Sequence, residues 1–147
     1  MNADCLRTVE RVHQLFRTCP DPGARENGQG WSVKEVLGHL VDSVSNNYQR
    51  IVRYVPQGHL SFPPYDQEQN VRRADYRAFD YDRLLALWYA YNLLMLHMLA
   101  RIPDAELDST TSYGDKPPVA LRQSIPDYFA HMENHERQVQ RIIAART

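Results

Sequence analysis

Four long segments of the chain repeat apolar residues every three or four positions, the spacing of one face of an α-helix. They run over about Ala3–Thr18, Trp31–Val55, Asp80–Ile102 and Ser124–Ala144. Each segment must bury its apolar stripe against the others, because one helix cannot shield it alone. The pattern therefore predicts an all-α fold, a four-helix bundle formed by one domain over residues 1–147.

The connections between these segments are unequal in length. Pro56 and Gly58 end the second long helix, and an extended stretch with stiff proline turns leads to a short helix over about Asp66–Tyr76. A connection this long predicts a crossover, or a flap over one end of the bundle. The stretch Asp104–Arg122 is expected to be irregular or hairpin-like, and Ser124 is expected to open the last helix.

Two of the stripes predict most of the core. In the second helix the expected core residues are Val33, Val36, Leu37, Leu40, Val44, Tyr48, Ile51 and Val55. In the third long helix they are Leu84, Leu87, Trp88, Tyr91, Leu94, Met95, Met98 and Ile102. The third long helix is apolar around most of its girth, which indicates a central position.

The charge balance argues against nucleic acid as the main partner. The chain has 17 lysines and arginines against 18 acidic residues, a net charge of −1, so it offers no basic field for a phosphate backbone. No apolar run approaches the length of a membrane span. The N-terminus lacks the basic start and apolar stretch of a signal peptide. We expect a cytoplasmic protein that acts on a small molecule and binds neither nucleic acid nor membrane.

A pair of histidines in the last helix is the first chemical signal. His131 and His135 are four residues apart, which puts both imidazoles on one face of the helix, about one turn apart. The stripe of this helix directs His135 towards the core. Such a pair can share a metal ion, but the spacing is common and needs a third ligand.

His39 is the best candidate for that third ligand. It falls on one edge of the apolar stripe of the second helix, and Ser43, Asn46 and Arg50 fall on the same edge. A polar line beside an apolar stripe predicts the wall of a binding pocket. Asp42 is rotated outward from His39 and is a less secure neighbour.

Three neutral imidazoles can hold one divalent ion and leave a coordination position for water or substrate. Such an ion activates a water molecule or a thiolate, or polarises a carbonyl group. Glu133 lies between the two histidines, but the order is not the H-E-x-x-H of zinc proteases. Glu133 points to another face of the helix, so we do not assign it the role of general base.

These residues resemble a known family. Trp31–Ser43, Asn46–Arg50, Phe62–Gln67 and His131–His135 are similar to motifs of the DinB-like (DinB/YfiT) superfamily of bacterial four-helix-bundle proteins. The resemblance covers most of the chain from the second helix to the end of the last. It departs at Asn134, where many relatives have a further histidine.

The resemblance implies a divalent metal, zinc, nickel, iron or manganese, held by His39, His131 and His135. It also implies homodimers and, in some branches, transferases or isomerases that use a low-molecular-weight thiol such as bacillithiol or mycothiol. We therefore expect a metal-dependent enzyme, either a thiol S-transferase or a hydrolase, with Ser43, Asn46 and Arg50 lining its pocket.

Two other hypotheses stay open. The first is a non-catalytic stress-response module that uses the metal and the pocket to sense a small ligand. The second is a structural or interaction domain in which the histidines have no special role.

Overall fold

Four long helices and one short helix account for most of the computed structural model, which describes residues 2–145. The helices are α1 (Asn2–Arg17), α2 (Val33–Arg53), α3 (Gln67–Ala74), α4 (Tyr81–Leu99) and α5 (Leu121–Ala144). The short strands are β1 (Arg25–Glu26), β2 (Gln29–Ser32), β3 (His59–Phe62), β4 (Thr110–Tyr113) and β5 (Val119–Ala120). The predicted four-helix bundle is confirmed.

The long helices do not pack in the order of the sequence. Helix α2 packs most extensively against α4, and α1 packs against α4 and α5, while α5 also packs against α2. The order around the bundle is therefore α1, α4, α2, α5. This arrangement makes α2 and α5 neighbours although a long stretch of chain separates them, and it brings their polar edges face to face.

Two connections meet at one end of the bundle. Strand β3, which follows α2, pairs in parallel with β4, in a register that runs from His59 opposite Thr110 to Phe62 opposite Tyr113. Strand β5 then pairs antiparallel with β4, which confirms the hairpin expected before the last helix. The parallel pairing of the two connections was not predicted, because nothing local in either segment specifies the other.

The N-terminus of α2 has a capping box. The Ser32 side chain accepts a hydrogen bond from the Glu35 amide, and the Glu35 carboxylate accepts one from the Ser32 amide. This cap fixes where α2 begins and therefore which residues share its inner face. Strands β1 and β2 form a small hairpin just before the cap.

The start of α5 differs from the prediction. The helix begins at Leu121, so Ser124 lies inside it rather than at its cap. The amide of Leu121 donates to the Ser109 carbonyl, and the amide of Arg122 donates to the Leu107 carbonyl. Backbone carbonyls from the preceding segment thus satisfy the first amides, in place of a capping side chain.

Three residues predicted to lie in the core are exposed. Val55 is 45% exposed because α2 ends at Arg53 and the chain turns away. Leu87 and Leu94 are 48% and 44% exposed, because α4 buries the face that packs against α1 and α2 and presents its other apolar face at the surface. Although α4 is this apolar, no helix in the described part of the chain is suited to crossing a membrane.

Candidate metal centre

Three histidines converge between α2 and α5. The Nε2 atom of His39 lies 3.3 Å from Nε2 of His131, which lies 3.1 Å from Nε2 of His135. One ring nitrogen from each residue falls within 4.8 Å of the other two. Nitrogen ligands about 2.1 Å from a common ion are about 3.0–3.4 Å apart at octahedral to tetrahedral angles. The side chains therefore stand close to the geometry of a three-histidine metal site.

Burial keeps these imidazoles neutral. It lowers the pKa of His39 to about 3, with smaller contributions from the neighbouring His135 and His131. It lowers the pKa of His131 to about 4, again with a contribution from His135. Burial also lowers the pKa of His135, although a hydrogen bond to Gln138 opposes this effect. Near neutral pH each ring therefore has a free lone pair, which metal coordination requires.

The hydrogen bonds around the rings fit a bound cation better than a network without one. Nδ1 of His135 lies 2.7 Å from Oε1 of Gln138, so it donates its proton there and leaves Nε2 as an acceptor. One proton on His131 Nε2 can then serve only one of its two neighbours. A cation shared by the three Nε2 atoms would satisfy all three of them. Nδ1 of His39 is also buried without a partner within residues 2–145, and a cation at Nε2 leaves it so.

Trp31 covers the histidines from the side of the β1–β2 hairpin. Its ring centroid lies 4.9 Å from that of His39 and 6.4 Å from that of His135. The capping serine follows Trp31 directly, so the same turn that starts α2 also places the indole over the site. The indole restricts both rings and excludes water from this side.

A cavity of about 350 Å³ opens beside His131. Its walls come from α2, from α5 and from the connections around β3 and β4. They are formed by Ser43, Asn46, Asn47, Arg50, Pro64, Tyr65, Tyr113, Lys116, Ser124, Asp127, Tyr128 and His131. The structure thus places the predicted residues Ser43, Asn46 and Arg50 together on one wall of a cavity that His131 borders.

Sequence reasoning missed several cavity residues. Asp127 had a usable signal, since it precedes His131 by one helical turn and must share its face. Tyr65, Tyr113 and Lys116 had none, because they lie in connections whose positions depend on the pairing of β3 with β4.

Two acidic residues near the histidines face elsewhere, in line with the predictions. Asp42 accepts hydrogen bonds from Asn70 and Tyr76, so it anchors the crossover to α2. Burial is the main reason that its pKa is raised. The carboxylate of Glu133 lies 3.9 Å from the guanidinium of Arg11.

Gly38 shows how tightly the crossover packs beside the site. A Cβ atom at this position would overlap the ring of Tyr76. Only glycine therefore permits this contact next to His39. Asn134, where the sequence departs from the DinB-like pattern, is exposed and accepts a hydrogen bond from Arg137, so it lies outside the site.

The sequence of the chain is similar to those of known proteins. A model described as the DinB superfamily matches residues 6–143. A protein of Oceanobacillus iheyensis named a putative metal-dependent hydrolase is 24% identical over 106 residues, which are 72% of this chain and 61% of that protein. One of Bacillus licheniformis with the same description is 26% identical over 107 residues, with the same coverage. The chain thus spans about three-fifths of the length of these relatives.

Among solved structures, the chain is similar to YfiT from Bacillus subtilis, described as a probable metal-dependent hydrolase with an unusual four-helix bundle topology. The TM-score is 0.79 at 21% identity, over 99% of this chain and 86% of YfiT. This likeness shows the fold.

Proposed function

The chain belongs to the DinB superfamily, and on that premise we propose that His39, His131 and His135 bind a divalent ion used to hydrolyse a small molecule. The observation that carries this proposal is the convergence of the three Nε2 atoms, two pairs of which lie 3.1 and 3.3 Å apart. The names of the curated relatives, which describe metal-dependent hydrolases, support the reaction class.

The ion, when bound, supplies Lewis acidity, which lowers the pKa of a water molecule or polarises a carbonyl group. The residues of the chain position the substrate and move protons. His131 borders the cavity, so a molecule in the cavity contacts the site directly. Asp127, one turn before His131, is the carboxylate that lines the cavity within the described residues, and we assign it the role of proton acceptor.

Three neutral imidazoles favour some of the four candidate metals over others. Imidazole nitrogen suits zinc, nickel and iron, whereas manganese prefers oxygen ligands. We therefore rank manganese last.

Thiol transfer is the alternative chemistry of the same site, since an ion with an open position also activates a thiolate. It would require a low-molecular-weight thiol as cosubstrate. Hydrolysis without any added thiol favours the hydrolase, whereas turnover of an electrophile only with a thiol favours the transferase. Ligand binding without turnover in either screen favours the non-catalytic sensor.

We also propose that the exposed apolar face of α4 packs against a second copy of the chain. Leu87, Leu93 and Leu94 are 38–48% exposed on this face, and burying such side chains against a partner is favourable. Leu94→Glu should then convert a dimer to a monomer in sedimentation experiments. A wild-type protein that is monomeric at high micromolar concentration would contradict the proposal.

The metal is tested by elemental analysis of the protein purified without a histidine tag. We expect about one divalent ion per chain in the wild type and none in His39→Ala, because two histidines from one helix bind weakly. His97→Ala is the matched control, since His97 is exposed on α4. Full metal content in His39→Ala would overturn the assignment.

Catalysis is tested separately with Asp127→Asn. We expect kcat to fall by about 10²–10⁴-fold while metal content stays unchanged. An unchanged kcat would remove Asp127 from the mechanism without affecting the metal assignment.

A further inference from the structure

We propose that the Arg50 end of the cavity binds a carboxylate, so that the substrate is an extended molecule with its reacting group at the histidines and an anionic group at Arg50. Only the reacting end of this proposal rests on the proposed function. The anionic end stands on contacts of Arg50 that involve no metal.

The Arg50 guanidinium is held in place without being neutralised. Its Nε donates to the Tyr113 hydroxyl at 3.1 Å, and its Cζ lies 4.3 Å from the centre of the Tyr113 ring. The Tyr113 hydroxyl in turn donates to the Asn46 carbonyl at 3.3 Å. These contacts orient the guanidinium against the wall of the cavity before any ligand arrives.

The two terminal nitrogens of Arg50 have no hydrogen-bond partner within residues 2–145, and no carboxylate of that part of the chain lies within 4 Å of them. Arg25, which is also half-buried, shows the opposite arrangement, since it pairs with Glu35. Two parallel N–H donors on a planar group match the two oxygens of a carboxylate. The unpaired edge of Arg50 therefore fits a bidentate anion.

The other charged residues that line the cavity also favour an anionic ligand. Lys116 adds a second cation to the lining. Asp127 contributes the opposing charge, but its carboxylate already accepts a hydrogen bond from Gln123 at 2.8 Å. It lies one turn from His131, whereas Arg50 lies about three turns from His39, or about 16 Å along α2. A ligand that spans this length meets the histidines at one end and Arg50 at the other.

The anionic end is tested first in protein treated with chelator, so that the result does not depend on the metal. Hexanoate and hexanamide have the same length and differ in charge. We expect hexanoate to bind at least tenfold more tightly by calorimetry and the difference to shrink with salt. Arg50→Met should remove the difference, and Arg50→Lys should retain part of it, because lysine keeps the charge but lacks the planar fork.

Arg53→Met is the matched control, because it removes the same charge from the exposed end of α2. It should bind hexanoate as the wild type does. Equal affinity for hexanoate and hexanamide in the wild type would overturn the proposal, as would unchanged hexanoate binding in Arg50→Met. Tighter binding of hexyl phosphate than of hexanoate would also overturn it, in favour of a phosphate.

The extended shape is tested in metal-loaded protein with dodecanedioate, which has a carboxylate at each end of a long chain, against its monoamide. We expect at least tenfold tighter binding of the diacid, and loss of this advantage in Arg50→Met but not in Arg53→Met. If the diacid has this advantage in metal-loaded protein but not in metal-free protein, the histidine end of the site binds its carboxylate only through the ion. Retention of the advantage in Arg50→Met would exclude Arg50 as the anion site.

Discussion

Helix α5 buries polar side chains on two sides, and the two sides differ in how their polar atoms are satisfied. On the side facing α1, the carboxylate of Glu136, which is 5% exposed, accepts two hydrogen bonds from Arg11 at 2.7 and 2.9 Å. On the side facing α2, His131 and His135 meet His39, and the three Nε2 atoms face one another without enough protons to pair them.

This difference separates a structural polar cluster from a candidate site within one helix. Glu136 and Arg11 complete each other, so their pairing needs nothing from outside the chain. The histidines are incomplete, since a single proton on Nε2 of His131 can pair with Nε2 of only one of its two neighbours, His39 or His135. Buried polar groups that lack partners cost stability. Such groups indicate a ligand when their free atoms converge on one point.

Removal of Arg11 should give the largest change in stability. Arg11→Met leaves the Glu136 carboxylate buried and unpaired, and we expect the free energy of unfolding to fall by about 2–3 kcal/mol. The value lies below that of a fully buried pair because half of the Arg11 side chain is exposed. Metal content should not change.

Arg7→Met is the control for this prediction. Arg7 pairs with Asp4 and both side chains are largely exposed, so urea denaturation should show a loss of less than about 0.5 kcal/mol. Similar losses in the two variants would mean that the Glu136 side is no different from a surface pair.

Gln138 is the next test, on the histidine side. Gln138→Leu removes the acceptor that holds the Nδ1 proton of His135, so the tautomer and the ring orientation are no longer fixed. We expect metal affinity to fall about tenfold, or about 1.4 kcal/mol. Competition with a chromophoric chelator measures this change, and Gln140→Leu, at an exposed position of α5, should leave the affinity unchanged.

The smallest expected effect has the opposite sign. In metal-free protein, His39→Leu replaces an imidazole that lacks a partner at Nδ1 with an apolar side chain of similar size. We expect the free energy of unfolding, measured in the presence of chelator, to rise by about 1 kcal/mol. Gln140→Leu, at an exposed position of α5, should not change it. A loss above about 1 kcal/mol in His39→Leu would mean that the histidines stabilise the fold without a metal.

Periodicity made the helices and one wall of the site predictable. A helical repeat fixes which residues share a face, so the spacing alone places His39, Ser43, Asn46 and Arg50 on one edge of α2. The same repeat does not show what covers a face. Leu87 and Leu94 were therefore assigned to the core, although they lie on the uncovered side of α4.

The remaining parts of the site depend on contacts between distant segments. Trp31 reaches the histidines from a hairpin, and Tyr113 reaches Arg50 from a strand whose partner lies in another connection. The start of α5 at Leu121 depends on a distant carbonyl in the same way. Such contacts have no local pattern in the sequence.

The separation of His39 from His131 in the sequence means that an ion bound at the candidate metal site would also cross-link the chain. The two residues are 92 positions apart, so an ion that joins them closes most of the chain into a loop. A covalent bridge over a loop of that size restricts the unfolded chain by on the order of 4–5 kcal/mol. His131 and His135 share one helix and bind an ion only weakly by themselves, so a third ligand from His39 ties the ion to the assembled bundle. Withdrawal of the ion would then act as the cutting of a cross-link, and the lifetime of the folded chain would follow the metal supply of its surroundings.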